Sequence, residues 1–445
     1  MSLERKIRSL KLSAVGDKRF IGGKRMLSEA RRKLTGQAHV VSVFLQIDDP
    51  YSYLLSHYLP SLAEHYDIDL RVFLSQALGD EFQPAPALQA AYAVDDCARL
   101  ASELGVPFLD KGSLPPTEHR ASLSDAVASQ RGDELFTTEL FAALAAYWRG
   151  DGAAVASMCG VPGAKGCARG VVADSQKILR RLGHYSSAML HYAGEWYWGV
   201  DRLHYLTGRL TALGVAKGDA ANPKLASVKQ AMQYSLPVRP PTAARELPAI
   251  EYFHSPRSPY CYLALKRLFA VADAFGVAVK IRPVLPLVMR GMKVPASKLR
   301  YIADDTHREA RRLDIPFGKL ADPVGAGTER FMAVFSYAQG EHRERDFVIN
   351  AGVGIWSQAI DLATDQGMRK ITGRCGLFWP DVEAVMRSDD WRPEIEANRE
   401  SMMSSGSWGV PTIRIGDFVV WGQDRDWMLV RHLEELCDTG DGILV

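Results

Sequence analysis

The pattern of apolar and polar positions predicts the same series of elements twice along the chain. Each series begins with a short apolar strand, continues with a helix that starts at a proline, and returns to a β-branched strand. These elements are Val40–Ile47, 50–66 and Ile68–Leu74 in the first series, and Ile250–Phe253, 259–276 and Val277–Ile281 in the second. A long stretch with helical periodicity follows, which in the second series includes Leu299–Leu313 and Phe347–Ala363.

Each series closes with two short strands and a helix. The strands are Met189–Tyr192 and Trp196–Trp198 around Ala193-Gly194, and Thr412–Ile415 and Phe418–Trp421 around Gly416-Asp417. Turns of this composition favour hairpins. The order strand, helix, strand, helical insertion, hairpin and helix is that of a thioredoxin-like sheet interrupted by a helical region. The predicted fold class is therefore α/β, with two tandem thioredoxin-like domains that each carry a large helical insertion.

Sequence motifs repeat at a nearly constant separation. Asp49-Pro-Tyr-Ser-Tyr-Leu and Ser258-Pro-Tyr-Cys-Tyr-Leu lie 209 residues apart, and Trp198-Gly-Val-Asp-Arg and Trp421-Gly-Gln-Asp-Arg lie 223 residues apart. A repeat of this length indicates two related domains. We predict a basic N-terminal arm over 1–36, a first domain over 37–215, a Pro- and Ala-rich linker over 216–246 and a second domain over 247–438.

Composition places the chain among ordinary globular proteins. Of its 445 residues, 47% are hydrophobic and 24% are charged, which excludes a disordered or collagen-like chain. The net charge of +2 gives no reason to expect a nucleic-acid partner for the whole molecule. Six scattered cysteines predict neither a disulfide framework nor a metal site, and no apolar run has transmembrane length. We therefore expect a cytoplasmic protein without a transmembrane segment.

The N-terminal region differs in charge from the rest of the chain. Residues 1–38 carry five Lys and six Arg against two Glu and one Asp, so their net charge is +8. A mobile, solvated arm is the favoured interpretation. Docking on phosphate or on an acidic membrane surface is the alternative.

Ser258 and Pro259 lie where the first strand of the second domain turns into a helix. Serine is a preferred N-cap and proline a preferred first helical residue, so this pair has a purely structural explanation. A helix N-terminus also presents N–H groups and the positive end of a dipole, which stabilise an anion such as a thiolate. Both interpretations remain open from the residues alone.

Four motifs of the second domain occur in a specific order. They are Ser258-Pro-Tyr-Cys-Tyr-Leu-Ala after a strand, the helix with Tyr301, Asp304-Asp305, Arg311 and Ile315-Pro-Phe, then Trp408-Gly-Val-Pro-Thr before a strand, and Trp421-Gly-Gln-Asp-Arg before the last helix. In this order they resemble the 2-hydroxychromene-2-carboxylate isomerase and kappa-class glutathione transferase family, of the DsbA-like branch of the thioredoxin superfamily. The resemblance spans nearly all of 247–438 and is weaker over 37–215.

The resemblance implies that the second domain has a glutathione site. In the family, the serine of Ser-Pro-Tyr replaces the nucleophilic cysteine of a redox motif and activates the thiol of glutathione, a role that would fall on Ser258. The Val-Pro position, here Val410 and Pro411, is a cis-proline whose preceding backbone pairs with the cysteinyl part of glutathione. Cys261 is then either a catalytic monothiol or a buried structural residue.

The turn before the last helix is the other part of the implied site. By resemblance, Gln423, Asp424 and Arg425 would hold the γ-glutamyl end of glutathione. The carboxylate of Asp424 suits an ammonium group, with helix capping as the alternative role. Because Trp198-Gly-Val-Asp-Arg retains this motif in the first domain, part of its role is expected to be structural.

The first domain departs from the motif at two positions. Asp49 occupies the position of the serine, and an anion there would repel a thiolate. Ala188 occupies the position of the cis-proline, so a trans peptide bond is expected. We therefore expect the first domain to be non-catalytic.

Together these features predict a glutathione-dependent isomerase or transferase that acts on a hydrophobic or aromatic small-molecule electrophile through its second domain. Two alternatives remain open. In the first, the protein is a catalytically silent tandem scaffold that binds a partner through its cis-proline groove. In the second, it is a DsbA-family monothiol oxidoreductase that uses Cys261.

Overall fold

The computed structural model describes residues 9, 18–76, 79, 82–109, 115, 117–131, 135–218, 221–238, 240–241 and 247–438. The chain divides into two compact units, Gly23–Gln233, and Tyr234–Val445 with Met1–Gly22, and each unit has its own four-stranded sheet. We refer to Gly23–Gln233 as the first domain and to the chain from Tyr234 onward as the second domain. The predicted α/β fold with two thioredoxin-like sheets is confirmed.

The sheet of the first domain has a buried central strand, β1. Its strands are β1 (Val40–Leu45), β2 (Asp69–Leu74), β3 (Met189–Tyr192) and β4 (Glu195–Trp198). They lie in the order β2-β1-β3-β4, in which β1 and β2 are parallel and the other pairs are antiparallel. The helices up to the end of this domain are α1 (Lys18–Leu34), α2 (Pro50–Ser56), α3 (Leu59–His65), α4 (Pro86–Leu104), α5 (His119–Ser129), α6 (Phe136–Trp148), α7 (Gly152–Cys159), α8 (Cys167–Leu182), α9 (Leu203–Ala212) and α10 (Pro223–Ala231).

The second domain repeats this arrangement. Its strands β5 (Ile250–His254), β6 (Val279–Pro283), β7 (Thr412–Ile415) and β8 (Phe418–Trp421) lie in the order β6-β5-β7-β8, again with the first pair parallel. Its helices are α11 (Pro259–Phe275), α12 (Ala296–Arg312), α13 (Ala326–Gly340), α14 (Glu344–Ser357), α15 (Asp365–Arg374), α16 (Trp379–Val385), α17 (Arg392–Ser404) and α18 (Asp426–Asp438). A 3-10 turn spans Leu287–Arg290. The insertion between β6 and β7 is helical, as the periodicity predicts.

The predicted helix over 50–66 is two helices in the structure. α2 ends at Ser56 and α3 begins at Leu59. Pro60 accounts for the break, because its nitrogen cannot donate to the carbonyl of Ser56 and its ring would collide with that carbonyl in a continuous helix.

Two other predicted bounds differ from the structure. α14 ends at Ser357 rather than Ala363, and the positive φ of 53° at Ala359 is incompatible with a continuing α-helix. β6 begins at Val279, because the N–H of Val277 bonds back to the last turn of α11.

The N-terminal arm and the linker contain structure that the sequence patterns do not predict. Within the arm, α1 spans Lys18–Leu34, while residues 1–8 and 10–17 lie outside the described part of the chain. Within the predicted linker, α10 begins after Asn222, whose side chain accepts a hydrogen bond from the N–H of Leu225. Among the helices that the structure describes, none is long and apolar enough to cross a membrane. All six cysteines are free thiols.

Candidate functional site

The register of the second sheet brings three separate segments to one end of the sheet. Phe253, near the end of β5, pairs with Thr412, and Thr412 also pairs with Trp421 at the end of β8. The loop that leads into α11, the residues that precede β7 and the turn that follows β8 therefore lie at the same end of the sheet. In α/β folds, the ends of strands that feed helix N-termini are the usual places for ligand sites.

Ser258 is the N-cap of α11. Its backbone is extended, and its Oγ accepts a hydrogen bond from the N–H of Cys261 at 3.2 Å. The same hydroxyl donates to the carbonyl oxygen of Val410 at 3.5 Å, a long hydrogen bond. The half-buried hydroxyl of Ser258 thus lies between the positive end of a helix dipole and the backbone that precedes β7.

The backbone that faces Ser258 is held in place by neighbouring side chains. The Val410–Pro411 peptide bond is cis, and the side chain of Val410 packs against the buried cluster of Phe253, Val284 and Met402. The hydroxyl of Thr412 donates to the carbonyl of Gly409 at 2.6 Å. These contacts fix the carbonyl of Val410 relative to α11.

Cys261 is buried inside the second domain. Its side chain is 0% exposed, and its Sγ accepts a hydrogen bond from the N–H of Ser255 at 3.5 Å. Burial raises the pKa of the Cys261 thiol to about 12, so the thiol is neutral at physiological pH. A buried, protonated thiol is a poor nucleophile. This placement fits the structural role for Cys261 rather than the catalytic one.

Gln423 and Arg425 lie deeper than a ligand-binding role would require. Each is 2% exposed. The amide oxygen of Gln423 accepts from Arg267 at 2.7 Å, and its amide nitrogen donates to the carboxylate of Glu309 at 2.8 Å. The Gln423 side chain is therefore engaged within the domain and holds the turn, in contrast to the direct contact that the resemblance implies.

The side chain of Asp424 is only half-buried, unlike the side chains of its two neighbours, which are buried. Its carboxylate lies 3.5 Å from the guanidinium of the buried Arg425. The guanidinium of Arg425 thus stabilises the negative charge of Asp424 from inside the domain. Of the three predicted residues, Asp424 is the one in a position to meet a ligand.

The loop between β5 and α11 is tied to the helical insertion by residues that the sequence motifs do not identify. Arg257 donates to the carboxylate of Asp322 at 2.9 and 3.3 Å, and the indole N–H of Trp356 donates to the carbonyl of Pro256 at 3.2 Å. Because these partners lie 65 and 100 residues apart in the chain, no local pattern marks them. They position the backbone immediately before Ser258.

At the equivalent helix start in the first domain, the side chain of Asp49 is hydrogen-bonded to neighbouring residues of the domain. The carboxylate of Asp49 accepts hydrogen bonds from Ser52 Oγ at 2.6 Å, Ser187 Oγ at 2.9 Å and the N–H of Tyr51 at 3.2 Å. Burial raises the pKa of the Asp49 carboxyl above its ordinary value, against the opposing effect of these donors. Ala188, which occupies the position of Pro411, has a positive φ of 52°. The hydrogen-bonding capacity of Asp49 is thus used within the protein.

Comparison with known proteins finds its matches in the second domain. Residues 249–434 match the family model of the DSBA-like thioredoxin domain, so the second domain is a DsbA-like thioredoxin domain. The 2-hydroxychromene-2-carboxylate isomerase of Pseudomonas putida is 24% identical over 199 residues, which cover 42% of this chain and 95% of that relative. The resemblance to the DsbA-like thioredoxin domain and to 2-hydroxychromene-2-carboxylate isomerase, noted from the sequence motifs, is confirmed for this domain.

Two solved structures are similar to part of this chain. A structure of 2-hydroxychromene-2-carboxylate isomerase has a TM-score of 0.39 and 21% identity, and the match covers 44% of this chain and 100% of that chain. The cytosolic disulfide reductase DsbM of Pseudomonas aeruginosa, solved with GSH, has a TM-score of 0.33 and 17% identity, and the match covers 42% and 98% of the two chains.

Proposed function

We propose that the second domain binds glutathione and uses its thiolate on a hydrophobic or aromatic small-molecule electrophile, as an isomerase or a transferase, and that the first domain is non-catalytic. One observation carries the proposal. The hydroxyl of Ser258 lies at the N-terminus of α11 and faces the carbonyl of Val410 beside the cis-proline. This is the place where the resemblance puts the thiol of glutathione.

Ser258 has the chemistry that this role needs. Its hydrogen bond to Val410 is long, so rotation about the Cβ–Oγ bond turns the hydroxyl hydrogen toward a sulfur atom at little cost, while the oxygen keeps its hydrogen bond from the N–H of Cys261. The N-terminus of α11 adds a favourable electrostatic contribution for an anion. Both effects lower the pKa of a bound thiol and raise the fraction of the nucleophilic thiolate. In this proposal, Asp424 accepts the γ-glutamyl ammonium and the Val410 backbone pairs with the cysteinyl part.

The burial of Cys261 weighs against the monothiol oxidoreductase. A redox role would require Cys261 to meet a disulfide, yet its side chain is 0% exposed and its thiol has a raised pKa. With serine at position 258, this motif also has no second sulfur with which to close a disulfide. We assign Cys261 a packing role, and the catalytically silent scaffold remains the competing function.

The test is calorimetric titration of the full chain with glutathione, followed by an assay of turnover with a nitro-activated aryl halide. We expect binding at millimolar glutathione or below. Ser258→Ala should still bind, but with a raised thiol pKa and reduced turnover. Ser187→Ala, in the first domain, is the matched control and should change neither quantity. Absence of glutathione binding by the wild-type protein would favour the silent scaffold.

A further inference from the structure

Helix α1 carries a line of exposed apolar side chains. Leu27 and Leu34 are 73% and 88% exposed, and Phe20 continues the same line one heptad earlier. Residues seven apart lie about two helical turns, or roughly 10 Å, apart on one side of a helix. Met26, beside this line, is 75% exposed. Large apolar side chains exposed together in this way mark an interaction surface rather than random surface variation.

Basic residues alternate with these apolar residues. Lys24 and Arg31 follow Phe20 and Leu27 by four positions, so they lie on the same side of the helix, and both are exposed. The sequence of α1 contains seven Lys and Arg residues and one acidic residue, Glu29. We call the side that carries Phe20, Lys24, Leu27, Arg31 and Leu34 the outer face of α1.

The opposite side of α1 is attached to the first domain. Arg25 forms two hydrogen bonds of 2.6 and 2.8 Å with the carboxylate of Glu195 in β4. Glu29 pairs with Arg32 at 2.7 and 3.0 Å, and both residues are partly buried. Glu29, the acidic residue of α1, is thus neutralised by Arg32 on the inner side of the helix, and the outer face has no acidic residue.

We propose that the outer face of α1 docks on the surface of an anionic lipid bilayer, with the helix lying in the plane of the interface. A helix with low overall hydrophobicity, leucine and phenylalanine on one face and lysine and arginine beside them is typical of interfacial binding. The apolar side chains would enter the boundary between headgroups and acyl chains. The basic residues would meet lipid phosphates, which supply the complementary charge.

Two other partners fit this surface less well. Nucleic acid offers phosphates but no apolar phase for Leu27, Met26 and Leu34, because it is bound mainly through charge and base stacking. A second copy of α1 would place two strongly basic helices together, and like charges would oppose that contact. The combination of bare aliphatic side chains and basic residues therefore favours the lipid surface.

The test is co-sedimentation of the full chain with vesicles of phosphatidylcholine alone and of phosphatidylcholine with phosphatidylglycerol. We expect binding to the anionic vesicles, weakened by salt. The double variant Lys24→Gln, Arg31→Gln should lower vesicle affinity by roughly thirtyfold. The double variant Leu27→Gln, Leu34→Gln should lower it by about tenfold or more. Glutamine is a good helix former, and circular dichroism verifies that α1 persists.

Phe378→Gln is the matched control, because Phe378 is an exposed apolar residue of the second domain, and its variant should bind as the wild type does. Three results would overturn the proposal. The first is equal sedimentation with both kinds of vesicle or with neither, and the second is affinity unchanged in both double variants. The third is binding to a DNA duplex or formation of a dimer that depends on the same residues while anionic vesicles do not bind.

Discussion

The two domains share a hydrogen-bond frame around the helix that follows their central strand. In both, a tyrosine hydroxyl donates to a buried aspartate, and a tryptophan indole donates to a carbonyl of the loop between strand and helix. These pairs are Tyr51–Asp96 and Trp148–Ile47 in the first domain, and Tyr260–Asp305 and Trp356–Pro256 in the second. The frame therefore holds the helix start in the same way, whichever residues occupy that start.

The residues at the helix start differ in charge. The first domain has Asp48, which pairs with Arg120 at 2.7 Å, and Asp49, whose hydrogen bonds are made within the domain. The second domain has Arg257 and Ser258 at the same two positions. Asp48 and Arg257 are each held in an ion pair, so an incoming thiolate would meet the carboxyl group of Asp49 in one domain and the hydroxyl of Ser258 in the other. Function is therefore expected to depend on the residues at this helix start rather than on the shared frame.

The strongest test exchanges the N-cap residues. Ser258→Asp copies Asp49 and keeps a good N-cap, so the free energy of unfolding should change by less than about 1 kcal/mol. The new carboxylate should raise the pKa of the bound glutathione thiol, and turnover should fall by about a hundredfold or more. The pKa can be measured from the ultraviolet absorbance of the thiolate as a function of pH. An unchanged thiol pKa would leave Ser258 as a helix cap and favour the silent scaffold.

A smaller effect should separate the two copies of the Trp-Gly-x-Asp-Arg motif. Asp424→Asn should weaken glutathione binding by about tenfold, because it removes a charged partner of the ammonium group. Asp201→Asn should leave that affinity unchanged and lower only stability, since Asp201 is 4% exposed within the first domain. Calorimetry measures the first quantity and thermal unfolding the second. Equal loss of affinity in both variants would contradict the assignment of the site to the second domain.

Cys261→Ser copies Ser52 and should alter turnover by no more than about threefold, because a buried neutral thiol takes no part in the proposed chemistry. We expect a loss of stability of about 1–2 kcal/mol from the buried hydroxyl.

The wild type should not reduce insulin disulfides. Ser258→Cys, which completes a Cys-Pro-Tyr-Cys motif, is the positive control for that assay. Robust wild-type reduction that is lost in Cys261→Ser would instead establish redox chemistry.

The sequence predicts the order of elements in both domains because strand and helix periodicities act locally and the motifs repeat. It also places Ser258 and Val410 at one site, through resemblance. It does not predict that Gln423 is bound to Arg267 and Glu309, partners that lie 156 and 114 residues away. The arrangement of these three side chains depends on how α11 and α12 pack, and packing at such separations leaves no periodic signal in the chain.

The sequence does not predict the helix in the N-terminal arm, for a different reason. The apolar positions of Lys18–Leu34 are few, and several of them are exposed, so no buried apolar face marks the helix in the sequence. Its attachment to the first domain depends on Arg25 and Glu195, which lie 170 residues apart. The break in the predicted helix over 50–66, in contrast, is marked in the sequence by Pro60, so the prediction of one continuous helix is wrong.

The smallest predicted effect concerns the pH dependence of the first domain. Because the pKa of Asp49 is raised in the folded state, its contribution to stability is fully present below the ordinary carboxyl pKa and is lost as pH rises through the folded value. Asparagine does not ionise, so Asp49→Asn should not lose stability in this way as pH rises, and asparagine is also a good N-cap. The melting temperature of Asp49→Asn relative to the wild type should therefore increase as pH rises above about 4, the ordinary carboxyl pKa. Asp48→Asn, which breaks the ion pair with Arg120, is the control and should be slightly less stable than the wild type near neutral pH. If Asp49→Asn instead became less stable than the wild type as pH rises, the carboxylate would be ionised and stabilised by Ser52 and Ser187, and the first domain would hold an anion at the same point where the second is proposed to hold a thiolate.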